Sequence, residues 1–140
     1  MIMVSACLVG KNCKYNGGNN YNEKVCKYLE NKEYITVCPE CDGGLAIPRD
    51  PSEILRGRVY SKGGRDVTKE FMLGAQKTLE KALKHDVTLA ILKQSSPSCG
   101  SGSIYDGSFT NKKISGDGMT AALLKKHGIK ILTEKDFQKM

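Results

Sequence analysis

Gln94-Ser95-Ser96-Pro97-Ser98-Cys99-Gly100-Ser101-Gly102-Ser103 comes just after the apolar run Val87-Thr88-Leu89-Ala90-Ile91-Leu92. The run has the length and continuity of a strand buried on both faces. The segment after it, small hydroxyl residues with a proline, a cysteine and two glycines, reads as a tight loop with exposed backbone. Open α/β sheets place their chemistry in such loops, at the carboxyl ends of strands. Two other segments repeat the arrangement. Ile2-Met3-Val4-Ser5-Ala6 runs into Cys7, and Tyr34-Ile35-Thr36-Val37 runs into Cys38-Pro39-Glu40. Three strands, if parallel, deliver one cysteine each to the same sheet edge.

Strand alternates with helix along the whole chain, the pattern of a parallel sheet with right-handed crossovers. Helices are expected from about Asn22 to Lys32, with Asn22 as cap, from about Asp66 to His85, and from Ala121 to His127, with Gly128 as its stop. Ile129-Lys130-Ile131-Leu132 reads as the fourth strand, and Thr133 as cap of a short terminal helix. The stretch 46–65 carries Pro48 and Pro51 and reads as an irregular excursion over the site, with a hairpin around Gly63-Gly64. The expected fold is therefore α/β: one flavodoxin-like, Rossmann-like domain over 1–140, its four-stranded parallel sheet in the order 2-1-3-4, flanked by helices.

The 140 residues suit one hydrophobic core. No run reaches membrane-spanning length, and the N-terminus lacks the basic lead of a signal peptide, so the cytoplasm is the expected location. Net charge is +7. The lysines are scattered rather than blocked, which describes a solvated basic surface better than a nucleic-acid track.

Six cysteines in such a chain need a reason. Cys26 sits on an amphipathic helix face and reads as core. Cys7, Cys13, Cys38, Cys41 and Cys99 fall in loops, where three chemistries compete. Cys38-Pro39-Glu40-Cys41 is a C-x-x-C thiol–disulfide candidate, although Asp42-Gly43-Gly44 is a poor helix start for such a motif. Zinc would need a second such pair, which the chain lacks. An iron–sulfur cluster on three scattered thiolates leaves one iron open, the mark of a catalytic metal. Glu40 and Ser96 would then stand beside it as proton-transfer groups.

Ser5-Ala6-Cys7-Leu8, Cys13-Lys14-Tyr15, Cys38-Pro39-Glu40 with Gly43-Gly44-Leu45, Pro48-Arg49, Gly64-Arg65-Asp66-Val67-Thr68, Ser96-Pro97-Ser98-Cys99-Gly100 and Ile104-Tyr105-Asp106-Gly107 form an ordered set. The set resembles the thiouracil desulfidase family over nearly the whole chain. The resemblance implies a [4Fe-4S] cluster on Cys7, Cys38 and Cys99, with Cys13 as a possible substitute ligand. It also implies Glu40 as acid/base with Ser96 as its polar partner, and a non-redox exchange of sulfur for water on a thiolated pyrimidine. Cys41 and Cys26 match no motif of that family. Tyr15 is a candidate for stacking on the base. The backbone at Ser101, Gly102 and Asp117 is a candidate for stabilising charge on it. The expected partner is a small thiolated base, with thiolated tRNA second because the chain has no additional RNA-reading domain. Thiol redox through Cys38 and Cys41, or a zinc- or nucleic-acid-binding module, are the competing functions.

Overall fold

The computed structural model describes residues 1–138. Its frame is a parallel sheet of β1 (Ile2–Ser5), β2 (Tyr34–Val37), β5 (Leu89–Leu92) and β8 (Lys130–Thr133). Side chains on a strand alternate between its faces, and the core follows that rule. Met3, Ala90 and Leu92 point to one face, where they pack with Leu79, Ala82, Ala121 and Leu124 from α3 (Thr68–Lys84) and α4 (Met119–Lys126). Val4 and Ile91 point to the other, against Val25 and Leu29 of α1 (Glu23–Leu29) and Phe137 of the terminal 3-10 turn.

The predicted helices form at the predicted places; the first two have shorter ends, and α4 starts two residues earlier than expected and stops one earlier. Asn22 caps α1 by accepting the Val25 amide at 3.0 Å, and Thr133 caps the terminal turn in a capping box with Asp136. Asp66 organises the start of α3, its Oδ1 accepting from the Thr68 amide at 3.0 Å and from the Thr68 hydroxyl at 2.6 Å.

The α/β class holds, but the expected four strands in the order 2-1-3-4 become eight among the described residues, and the main sheet runs β2-β1-β5-β8. Two antiparallel ribbons take the intervening numbers: β3 (Ser52–Leu55) with β4 (Arg58–Ser61), and β6 (Ile104–Tyr105) with β7 (Lys113–Ile114). These strands are two to four residues long, too short for hydrophobic alternation to announce them. The hairpin turn of the excursion is Arg56-Gly57, both with positive φ. This is the requirement of a two-residue turn that matches strand twist. At Gly63-Gly64 the chain does reverse, but it closes only one further bridge, Tyr60 to Asp66.

The carboxyl ends of β1, β2 and β5 all lie at one edge. After β1 comes a 3-10 turn, Ala6–Val9. After β2 comes the single helical turn α2 (Pro39–Asp42), and after β5 comes the Ser/Cys/Gly loop. Two glycine contacts fix α2 there. A methyl group on Gly74 of α3 would run into the Pro39 carbonyl, and one on Gly43 would run into the Glu70 carbonyl. Gly118, just before α4, makes a similar approach to the backbone of Ser96 and Ser98.

Candidate active site

A cavity of about 430 Å³ opens at this edge. Cys7, Cys13, Cys38 and Cys99 line it, together with Glu40, Arg49, Ser96, Ser98, Tyr15 and Tyr105. The sheet brings together thiols that are 92 positions apart in the chain (Cys7 and Cys99) through the direct pairing of β1 with β5. All six cysteines are free thiols.

Cys99 is the deepest, 4% exposed. Ser5 Oγ donates to its sulfur at 3.6 Å, and Ser98 Oγ stands 3.5 Å from it. Ser5 is aimed by the Lys93 amide, which donates to its oxygen at 3.0 Å and leaves the hydroxyl proton for sulfur. Burial pushes the Cys99 thiol up to about 12, and burial also raises Cys7. Cys38 moves the other way, because the Cys13 thiol hydrogen-bonds to its sulfur and favours the thiolate, and the same contact raises Cys13. The cavity's thiols thus differ in how readily they ionise, and metal binding to them must release protons.

Among the described residues no three His, Cys, Asp or Glu side chains close around one point in the manner of a single metal ion. The thiols instead surround a space. That arrangement suits a polynuclear cluster, whose irons stand apart and each take one thiolate. The Ser5 hydroxyl on Cys99 suits it too, since hydrogen bonds to ligand sulfur tune such clusters.

Glu40 stands two residues after Cys38 and enters the same cavity from α2. Its Oε1 is paired with Arg49 Nε at 3.3 Å, and the Arg49 side chain is 9% exposed. The guanidinium also donates to the carbonyls of Cys13 at 2.9 Å and Ala46 at 3.2 Å. Oε2 accepts from Ser98 Oγ at 3.2 Å. Ser96, expected beside Glu40, stands one bond further back. Its oxygen accepts the amides of Ser98 and Cys99 at 3.1 and 3.2 Å and lies 2.9 Å from Ser98 Oγ. With both lone pairs taken, its proton goes to Ser98, which frees the Ser98 proton for Glu40.

Tyr15 lines the cavity as expected. Ser101, Gly102 and Asp117 do not. The Ser101 amide is bound by Gln94 Oε1 at 2.8 Å and the Gly102 amide by Asp117 Oδ1 at 2.8 Å, so those amides are spent inside the loop. Cys41 faces a separate cleft behind the site. Cys26 is half-buried rather than core, its thiol donating to the Leu8 carbonyl at 3.7 Å. His85 and His127 are helix C-caps. A helical turn does begin at Cys38, which the sequence argued against. Pro39 in its first position supplies the start.

Arg49, Ser98 and Ser5 escaped the sequence reading as site residues. All three lie inside motifs already singled out. Only their folded partners, 9, 58 and 94 positions away, reveal their roles.

Behind the cavity, the buried carboxylate Glu134 ties the end of β8 to the loop after β5, accepting the Gln94 amide at 2.6 Å and pairing with Lys93 at 3.0 Å.

The profile of the 2-thiouracil desulfurase family matches residues 2–136. The chain is 44% identical to YbbK of Bacillus subtilis, an uncharacterized protein, over 97% of each chain. Among solved structures it is similar to the [4Fe-4S]-dependent thiouracil desulfidase TudS, with a TM-score of 0.91 and 40% identity over 99% of this chain and 93% of that one.

Proposed function

Since the chain belongs to the 2-thiouracil desulfurase family, we propose that it removes sulfur from thiouracil with a [4Fe-4S] cluster, giving uracil and sulfide. Cys7, Cys38 and Cys99 would hold the cluster, one thiolate from the end of each of three neighbouring strands, with Cys13 on the same wall as the alternative ligand. When bound, the cluster supplies an open, soft Lewis-acidic iron suited to thiocarbonyl sulfur rather than oxygen. The carbon–sulfur bond is exchanged for a carbon–oxygen bond from water, and the sulfur departs as sulfide. No electrons are gained or lost, so no external reductant is needed.

Glu40 handles the proton. Arg49 holds Oε1 and keeps the carboxylate turned, so that Oε2 faces the cavity. A carboxylate oxygen accepts more than one hydrogen bond, so Oε2 can take a water proton while Ser98 still donates to it. The relay from Ser96 through Ser98 fixes the direction of that hydroxyl and holds the carboxylate in place during the transfer. Tyr15 and Tyr105 offer flat apolar faces for the pyrimidine.

The cavity has the volume of a small-molecule pocket, which favours a free base or nucleotide over folded RNA. Among the described residues no helix is long and apolar enough to cross a membrane. Six free thiols suit a reducing compartment such as the cytoplasm.

The observation that carries the reading is the meeting of Cys7, Cys38, Cys99 and Glu40 on one cavity. The test is sulfide release from 2-thiouracil and 4-thiouracil by protein reconstituted anaerobically with iron and sulfide, beside the cluster-free chain. Sulfide and uracil from the loaded protein alone are expected. Cluster absorbance without sulfide from either base would overturn the substrate assignment.

A further inference from the structure

Cys41 has no place in the reaction above, yet it sits in an ordered thiol environment. Cys38 caps the turn α2 and Cys41 is its third helical residue. Both thiols donate to one acceptor, the Cys13 carbonyl, at 3.8 and 3.9 Å. A shared acceptor holds the two sulfurs on the same side of the turn. Arg49 Nη1 lies 3.8 Å from the Cys41 sulfur. On the side away from the substrate cavity, Cys41 borders a cleft of about 270 Å³ shared with Lys11, Lys81, Cys13 and Cys38. A small oxidant entering there reaches Cys38 and Cys41 without passing through the substrate cavity.

We propose that Cys38 and Cys41 form a reversible disulfide in the cluster-free protein, sparing the ligand Cys38 from irreversible oxidation. The oxidant is a hydroperoxide. The Cys38 thiolate attacks its oxygen, the O–O bond breaks, and hydroxide leaves, giving a sulfenic acid. The Cys41 thiol attacks that sulfur, a sulfur–sulfur bond forms, and water leaves. With hydrogen peroxide the sum is two thiols and one peroxide to one disulfide and two waters, a two-electron oxidation. The resolving thiol wins because it is held on the same carbonyl as Cys38, three residues away on one helical turn. Without it the sulfenic acid proceeds to sulfinic and sulfonic acids, from which Cys38 is not recovered as a ligand. A dithiol reductant reopens the pair for cluster assembly.

The proposal depends on the thiols and not on the substrate, and its test reads mass and iron uptake rather than turnover. Full-length, cluster-free protein is treated with hydrogen peroxide, alkylated and digested with trypsin. Cys38 and Cys41 share the peptide 33–49, whereas Cys13 falls in 12–14. Peptide 33–49 is expected to lose two hydrogens, resist alkylation, and regain both thiols and iron uptake after dithiothreitol. In Cys41→Ser, the same treatment is expected to give Cys38 sulfinic or sulfonic acid and a permanent loss of iron uptake. Cys13→Ser should still form the bond. A cross-link between 12–14 and 33–49, or equal overoxidation of Cys38 with and without Cys41, would overturn the proposal.

Discussion

Glu40 is held by two neighbours of opposite character, a buried guanidinium on one oxygen and a serine hydroxyl on the other. Removing Arg49 leaves a partly buried carboxylate without its countercharge and frees the Cys13 carbonyl from its strongest donor. Arg49→Gln is therefore expected to lower kcat about 10²-fold, the scale of a misplaced acid–base group. Arg49→Lys should recover part of that, because an ammonium restores the charge without the fork that spans Glu40 and two carbonyls. Iron content and visible absorbance of the reconstituted variants, measured beside kcat and KM, check the assignment. Parallel loss of iron in both variants would mean that Arg49 shapes the thiol wall rather than the carboxylate. Glu40 was legible in the sequence because it stands two places from a candidate ligand. Arg49 was not, since nothing local says that an arginine after a proline will fold back onto a carboxylate nine positions earlier.

The turn α2 presents both a candidate ligand and the acid–base group, and it owes its position to a backbone-to-backbone contact with α3. Gly74 lies in the interior of a 17-residue helix, where alanine would ordinarily favour the helix by about 1 kcal/mol. Here the added methyl meets the Pro39 carbonyl, so packing opposes propensity. Overpacking at such a contact costs roughly 1–3 kcal/mol, enough to outweigh that gain. Gly74→Ala is expected to lower the urea midpoint and the iron bound per chain, while far-UV circular dichroism stays near the native signal. An unchanged iron stoichiometry would show that α2 has room to retreat. At this scale the long helices and parallel strands could be read from periodicity, burial and caps. The ribbons β3–β4 and β6–β7 were harder, because two to four residues are too few to establish a period, and the Arg56-Gly57 turn that closes the first carries one glycine where two positive φ values are needed.

Across the whole molecule, the sheet edge could be anticipated from three apolar runs, two that end at a cysteine and one whose following loop carries Cys99. The thiols on the cavity are the ones those runs point to, with Cys13 added by the loop after β1. Serine substitutions should separate the groups. Cys7→Ser, Cys38→Ser and Cys99→Ser are each expected to abolish stable iron uptake, and Cys26→Ser to leave it unchanged, as read by iron and acid-labile sulfide per chain. Retained uptake in Cys7→Ser with loss in Cys13→Ser would move the third ligand to Cys13. The amides of Ser101 and Gly102 were misjudged for a related reason. A loop rich in glycine and serine advertises free donors, and Gln94 and Asp117 had already claimed them.

The strand order carries a consequence for how the site is held. The strands that lead to Cys7 and Cys38 are direct neighbours and close in sequence, whereas the loop bearing Cys99 joins them from much further along the chain. That loop is in turn clamped from behind by Glu134, 35 positions after Cys99. One wall of the cavity is thus local and the opposite wall is borrowed, so a disturbance beyond β8 reaches the Cys99 side first and spares the other.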